Sequence, residues 1–441
     1  MVSICFYFQV HQPLRLRKYS VFDIGNKSDY FDEHKNKEII KKVAKKCYLP
    51  TNKLLLELIN KHKESKRQFK VSFCISGMAL EQFEKYAPEV LYSFRELART
   101  GCVEFLNETY YHSLSFLYDK EEFKEQVNKH KKKIKELFGQ EAKVFRNTEL
   151  IYNNELANFV QGLGYKTILA EGADHVLGWR SPNFIYTPKT AEKMKLMLKN
   201  YKLSDDVAFR FSNKGWKEHP LTVEKYAQWI SATNGNGNVV NLFMDYETFG
   251  EHQWEDTGIF EFLKHLPEEI LKHPDNEFVT VSEAAERYDS VSELDIHHFL
   301  SWADIERDLS AWLGNSLQNA SANELYRVGK LVKETKNQEL IGEWRKLTTS
   351  DHFYYMCIKW FSDGDVHKYF NPYDSPYEGF IAFMNVLNDI VIRVRDFKKQ
   401  KEALTSPKIY THSSDTGLFT QSFISEQPSE NLLDIHMIDK S

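Results

Sequence analysis

The sequence predicts an α/β fold, a mostly parallel unit of seven strands followed by a wholly helical region. Three observations predict it. Short apolar runs alternate with longer amphipathic ones over the first two thirds of the 441 residues, as in parallel strands joined by helical crossovers. Past about Ser290 the strand signal fades and helical spacing takes over. Polar residues gather where the apolar runs end.

Strands are predicted at Ser3–Val10, Lys70–Ser76, Cys102–Asn107, Val144–Asn147, Thr167–Ala170, Val207–Phe211 and Val239–Asp245. Helices fill most of the intervals. Leu80–Arg99 runs up to Gly101 and Glu121–Phe138 up to Gly139, and a glycine after the last periodic residue is a helix stop. Periodicity alone leaves open whether seven such strands make an open sheet or an incomplete barrel. Asp304–Leu317, Glu324–Glu334, Asp351–Phe361 and Tyr377–Leu404 combine helical spacing with good helix formers. The expected division is therefore an α/β unit over 1–290, a helical domain over 291–404 and a polar tail over 405–441.

Composition narrows the function. Lys and Arg number 58 against 63 Asp and Glu, a net charge of −5, which leaves no basic footprint for nucleic acid. The 31 Phe, 23 Tyr and 8 Trp fill a core and also suit a groove in which rings stack on sugar faces. Five scattered cysteines, an odd count without zinc spacing, argue against a disulfide framework. No leader pattern opens the chain and no apolar run spans a bilayer. The expectation is a cytoplasmic protein without a membrane partner.

The first strand ends in Gln9-Val10-His11-Gln12-Pro13, the third in Glu104 to His112, the fourth in Arg146-Asn147-Thr148-Glu149 and the seventh in Asp245 to His252. In a parallel barrel such ends form the catalytic face. Glu149 and Asp245 are the candidate carboxyl pair, since glycoside hydrolysis commonly needs one group to protonate the leaving oxygen and another to attack or activate water. Arg146 beside Glu149 would keep a nucleophilic carboxylate ionised, whereas Asp245 needs a raised pKa. Glu247 shares the face of Asp245 if the strand continues that far. His11 reads as a substrate contact. The alternatives are a satisfied core histidine and a metal held by His11, His112 and His252. Trp179-Arg180 suits either a stacking platform or a loop anchor. Asp304, Asp308 and Trp312 fall on one helical face too polar for ordinary core. Lys359–Asp365 reads as a second lip of the cleft or as a capped turn.

At these residues the sequence resembles glycoside hydrolase family 57, which holds α-amylases and 4-α-glucanotransferases. His11-Gln12-Pro13 is similar to the end of its first motif, Gly101-Cys102-Val103-Glu104 to its second and Phe145-Arg146-Asn147-Thr148-Glu149 to its third. Asp245-Tyr246-Glu247-Thr248-Phe249-Gly250 is similar to its fourth, and Trp302–Gly314 loosely to its fifth. The resemblance covers roughly the first 400 residues. It implies a (β/α)7 barrel with a helical domain over its mouth, and retaining cleavage of α-1,4-glucosidic bonds in starch, glycogen or maltodextrins. Glu149 would be the nucleophile and Asp245 the general acid/base, with no cofactor and no catalytic metal. His11, Glu104 and Trp302 would touch the sugar, with Trp179, Arg180, Glu247, His252 and Asp304 as further substrate contacts. Tyr111-His112 stand where glucanotransferases of the family tend to have Tyr-Glu, which favours the amylase-like subgroup. A 4-α-glucanotransferase or branching enzyme on the same scaffold is the alternative. A metal-dependent polysaccharide deacetylase would need an aspartate pair and a His-x-x-x-His set, neither present, and a non-catalytic homologue would usually lack one carboxylate.

Overall fold

A computed structural model describes residues 2–359 and 371–405. The expected tail beyond Thr405 therefore lies outside the described residues, as does most of Lys359–Asp365. The strands are β1 (Val2–Val10), β2 (Val71–Ile75), β3 (Val103–Phe105), β4 (Val144–Arg146), β5 (Thr167–Glu171), β6 (Ile185–Pro188), β7 (Lys195–Lys199), β8 (Val239–Asp245), β9 (Asn276–Phe278) and β10 (Glu293–Leu294).

Two five-stranded sheets close on one another. One runs β3-β2-β1-β8, with β9 on the early half of β1, and the other runs β10-β6-β7-β5-β4. Their edges meet at β3 and β4 through the parallel bridge Asn107–Phe145. They meet again at β7 and β8, where Asn241 accepts from the Asn200 amide at 2.9 Å and its side chain donates to Leu198 O at 2.8 Å. Strands β1, β2, β3, β4, β5, β7 and β8 thus form a seven-stranded barrel, with the hydrogen bonds of Asn107 closing one seam and those of Asn241 the other.

Side-chain alternation sorts the strands into two faces. Phe6, Phe8 and Val10 point outward to a core shared with the surrounding helices. Cys5 and Tyr7 point inward with Cys74, Leu106, Val144, Leu169, Met197 and Phe243. The helix Val281–Arg287 plugs the N-terminal end of the barrel, adding Val281, Ala284 and Ala285 to that interior. Its amino end is held by Glu104, which accepts from the Ser282 amide at 3.0 Å. Beyond its carboxyl end Lys195 donates to Ala285 O at 2.7 Å and Tyr288 O at 2.6 Å. A carboxylate at the start and an ammonium at the end both complement the helix dipole.

Two expected elements are corrected. Val207–Phe211 is not a strand, because Asn200 caps the helix Tyr201–Ala208 by accepting from the Leu203 amide, and that helix runs into the segment. The barrel strand is β7, whose lysines face inward and so resemble a solvent face in the sequence. The single helix over Leu80–Arg99 is two, Gly77–Tyr86 and Pro88–Arg99, since a proline cannot continue the preceding hydrogen-bond ladder.

Beyond residue 310 the described chain is helical, with Ser316–Thr335, Gln338–Lys346, Ser350–Tyr354 and Pro376–Thr405 as its main members. Their core gathers Trp312, Leu325, Trp344, Phe353 and Leu387, and it takes in Leu16, Leu114 and Ile151 from loops that follow β1, β3 and β4. The helical region is therefore packed against the C-terminal end of the barrel. The Ser350 amide donates to His112 O at 2.9 Å, and Arg345 clasps Glu122 at 2.8 and 3.0 Å.

The loop after β8 is equally tightly docked. Gly250 has φ 108°, and a β-carbon there would stand 2.0 Å from Lys46 O. Gly250→Ala should therefore cost at least about 2 kcal/mol, more than alanine costs where the backbone accepts it. Urea unfolding should give a clearly lower midpoint. An unchanged midpoint would mean that the loop is not pinned against residues 44–48.

Candidate active site

Strand β4 delivers Glu149 through a tight turn, Thr148–Leu150, in which Glu149 (φ 57°) and Leu150 (φ 52°) are both left-handed. Such conformations cost about 1–3 kcal/mol each in non-glycine residues and persist only where the surroundings impose them. Six described non-glycine residues have positive φ, and five of them, His112, Glu149, Leu150, Asp304 and Arg307, lie at this end of the barrel. The turn is fastened by Asn147 Nδ2 donating to Ile151 O at 3.0 Å and by Thr148 and Thr109 hydroxyls 2.9 Å apart.

Both oxygens of Glu149 are occupied by donors. Trp302 Nε1 donates to Oε2 at 2.8 Å, and Ser350 Oγ donates to Oε1 at 2.9 Å. His112 Nε2 stands 3.5 Å from Oε1. Burial pushes this carboxyl up, but His112 and Arg146 outweigh it, and the group ends below the ordinary glutamate range.

His112 is itself an imidazolium. Its Nδ1 faces Glu108 Oε2 at 2.5 Å, so both ring nitrogens meet carboxylates. Burial lowers its pKa, but Glu108 and Glu149 lift it to about 10. Glu108 also accepts from Gln9 Nε2 at 2.9 Å, and burial is again outweighed by His112, leaving Glu108 well below its usual range. His11 stacks on His112 with ring centroids 4.0 Å apart. Burial and the His112 charge keep His11 low and therefore neutral. Its Nε2 donates to Asp351 Oδ2 at 2.9 Å, which leaves Nδ1 to accept from Ser76 Oγ at 2.7 Å. Burial pushes Asp351 up, yet the hydrogen bond from His11 and the charge of His112 carry it down to about 2.

Asp245 is in the opposite condition. It ends β8, paired in register with Gln9, three strands from β4 around one side of the barrel and four around the other. Among the described residues no hydrogen-bond donor reaches its carboxyl. Burial and the charge of Glu149 raise it to about 6, against the pull of Arg146, Lys199 and His112. Arg146 is fully buried, and its guanidinium nitrogens take no hydrogen-bond partner among the described residues. It lies 4.7 Å from the Trp302 ring centroid, with Lys199 Nζ 5.5 Å from the same ring.

Four charges, three of them buried, fasten the loop that carries Trp302. Lys199 Nζ lies 2.9 Å from Asp205 and 3.5 Å from Glu171, and Arg307 lies 3.4 Å from each of these carboxylates. Arg307 also donates to Trp302 O. The indole donor on Glu149 is thus tied to β5 and β7.

The structure gathers His11, Glu149, Asp245 and Trp302 but not every candidate. Glu104, in β3, is at the opposite end of the barrel, where it binds the plug helix. Strand alternation puts Glu104 and Glu108 on the same inner face, about 13 Å of extended chain apart, and Glu108 takes the place at the mouth. Glu247 is buried and accepts from the Tyr48 hydroxyl and from Gln12 at 3.5 Å. Burial and Asp245 raise it to about 8. His252 is half-buried, its amide donating to Glu247 O at 2.9 Å, and desolvation lowers its ring to about 4. Trp179 is 90% exposed, with Arg180 5.3 Å from its ring centroid, and neither joins the cluster. Asp304 and Asp308 do not share a helical face, because residues 302–309 form a loop. Asp304 pairs with Lys359 at 3.5 Å, while Asp308 binds Ser310. Trp312 is core of the helical region. Sequence reasoning missed Gln9, Glu108, Glu171, Lys199 and Asp205, whose signal is their even spacing along inner strand faces or beside them. It missed Ser350 and Asp351 because nothing local marks them.

The His112 charge has a pH signature. Its folded pKa lies above the ordinary 6.5, so its stabilisation is full below 6.5 and is lost as pH rises toward about 10. His112→Gln should be less stable than the parent by a few kcal/mol at pH 6, with the gap narrowing steadily to pH 10. Denaturant midpoints across that range measure it, and a constant gap would mean an uncharged histidine.

Known proteins resemble the chain in sequence and in fold. The family model described as glycosyl hydrolase family 57 matches residues 5–297. A Methanocaldococcus jannaschii protein named "Putative alpha-amylase" is 46% identical over 412 residues, 90% of this chain and 86% of that protein. Among solved structures, the 4-alpha-glucanotransferase of Thermococcus litoralis superposes with TM-score 0.64 at 16% identity over 92% of this chain, which spans 60% of that protein's length. A branching enzyme from Thermococcus kodakaraensis gives 0.60 at 15% identity over 90% of both chains. An α-amylase from Thermotoga maritima gives 0.57 at 12% identity over 91% of this chain and 96% of its own. These structural likenesses establish the barrel with its helical region, and the sequence matches establish that the chain belongs to glycoside hydrolase family 57.

Proposed function

We propose that the chain is a retaining α-glucan hydrolase of the α-amylase type. The observation that carries this is the contrast between the two carboxyls: Glu149 is surrounded by three donors and stays ionised, while Asp245 has none and is raised to about 6. Environments that push two carboxyls apart in this way assign base and acid. The alpha-amylase name of the 46% identical relative supports hydrolysis over transfer.

In the first step Glu149 attacks the anomeric carbon while Asp245 gives its proton to the glycosidic oxygen, and the C–O bond to the leaving glucan breaks. In the second step Asp245, now a carboxylate, takes a proton from water. That water displaces Glu149, releasing the sugar with its original anomeric configuration. His11, Trp302 and Lys199 would contact the reacting glucosyl unit. The domain division at about residue 290 remains part of this proposal, with the helical region supplying Ser350 and Asp351 to the mouth.

Two assays test the reading. Maltooligosaccharides should give only shorter chains. Longer products would instead favour a 4-α-glucanotransferase or branching enzyme. The second assay uses aryl α-maltosides with azide. Glu149→Gly opens space at the nucleophile and should lose on the order of 10^4-fold in turnover, with azide giving the inverted glycosyl azide. Asp245→Asn should keep much of its activity on the activated substrate and give the retained azide. The reverse stereochemistry would exchange the two roles.

A further inference from the structure

A groove lies outside the hydrogen-bonded cluster, between the helix Leu49–Lys61 and the segment that follows β8. Its volume is about 870 Å³, within the about 300–1,000 Å³ of small-molecule sites. We propose that it is a second binding site for α-glucan chains, centred on Trp254. The inference rests on the α-glucan reading above.

Trp254 is 55% exposed on this wall. Lys46 Nζ sits 5.0 Å from its ring centroid, backing part of the indole and leaving the rest open. The ring is also held firmly from its backbone. Gly250 N donates to Gln253 O at 2.9 Å, Gln253 Nε2 donates to Ala208 O at 2.9 Å, and the Thr257 amide donates to Trp254 O at 3.0 Å. The close approach of Gly250 to Lys46 O fixes the same loop against residues 44–48, which lead into the facing helix. A large indole presented on a rigid wall is a built stacking surface, not a side chain left over at the surface.

The charge of the groove selects the ligand class. Four lysines, Lys46 and Lys53 among them, line it together with four acids, Glu57 and Glu255 among them. A phosphorylated or acidic ligand would meet the four carboxylates, and a cationic one the four ammonium groups. A neutral chain rich in hydroxyls suits both, since each hydroxyl donates to a carboxylate and accepts from an ammonium. A pyranose face on the indole adds apolar contact. An α-1,4-glucan has both features. The loop also descends directly from β8, so a chain held here would lie on the segment that carries Asp245.

The test compares wild type, Trp254→Ala and Trp254→Phe in native gels containing glycogen, with hydroxyethylcellulose gels as a control, and measures turnover of a short aryl α-maltoside. Wild type should be retarded by glycogen only. Trp254→Ala should weaken the apparent affinity at least tenfold while kcat/KM on the short substrate stays within twofold. Trp254→Phe, which keeps an aromatic face, should recover most of the retardation. Equal retardation of wild type and Trp254→Ala, with wild-type turnover intact, overturns the second site and leaves the functional reading standing. A parallel loss of retardation and short-substrate turnover in both variants, with unfolding midpoints unchanged, would place Trp254 in the reacting cleft and also overturn it. If wild type neither cleaves the maltoside nor is retarded, the functional reading fails and the second site with it.

Discussion

The positive charge of His112 is the interaction around which the rest of the mouth is arranged. A buried imidazolium is stable only between anions, and Glu108 and Glu149 supply them from the ends of two neighbouring strands. Each carboxylate is in turn kept ionised by that charge. Removing one partner of such a cluster leaves a buried charge uncompensated, which costs far more than the pair contributes. Gln9, Ser76, His11 and Asp351 extend the arrangement into a continuous polar layer above an apolar barrel interior.

Strain and anchoring follow from the same requirement. Glu149 meets His112, Ser350 and Trp302 from a left-handed backbone, and the Trp302 loop also turns through left-handed residues at Asp304 and Arg307. The ion pairs of Arg307 and Lys199 with Glu171 and Asp205 offset that strain by tying the loop to the barrel. The helical region completes the site through Ser350 and Asp351. A barrel closed by one bridge at β3 and β4 and by the Asn241 amide at β7 and β8 has few bonds of its own across those seams, and the packed helices add contacts over its mouth.

Much of this was legible in the sequence where local pattern and function coincide. Six of the seven barrel strands announce themselves by apolar runs, and Glu149 and Asp245 by polar residues at strand ends. The seventh, Lys195–Lys199, was hidden because its inner face carries lysines, one holding the plug helix and one beside Trp302. Glu104 and Glu108 have identical local appearance. Only strand register and the plug helix decide that the first caps a helix and the second meets His112. Ser350 and Asp351 depend on how the helical region docks, and no spacing within the chain encodes that. Asp304 failed for a related reason, since a helical spacing was read across a segment that turns back on itself.

In the mechanism proposed above, environment splits two carboxyls into an ionised nucleophile and a protonated acid. The dependence of kcat/KM on pH in an aryl α-maltoside assay tests it most directly, because it reports the free enzyme's essential groups. Activity should fall as pH drops below the ordinary glutamate range, where Glu149 takes a proton. It should fall again as pH rises through about 6, where Asp245 loses its own. Trp302→Phe removes the indole donor and should move the acidic limb upward by about one pH unit or more, the equivalent of a hydrogen bond to a charged group, leaving the upper limb in place. An acidic limb unmoved in Trp302→Phe, or an upper limb that survives in Asp245→Asn, would contradict the account.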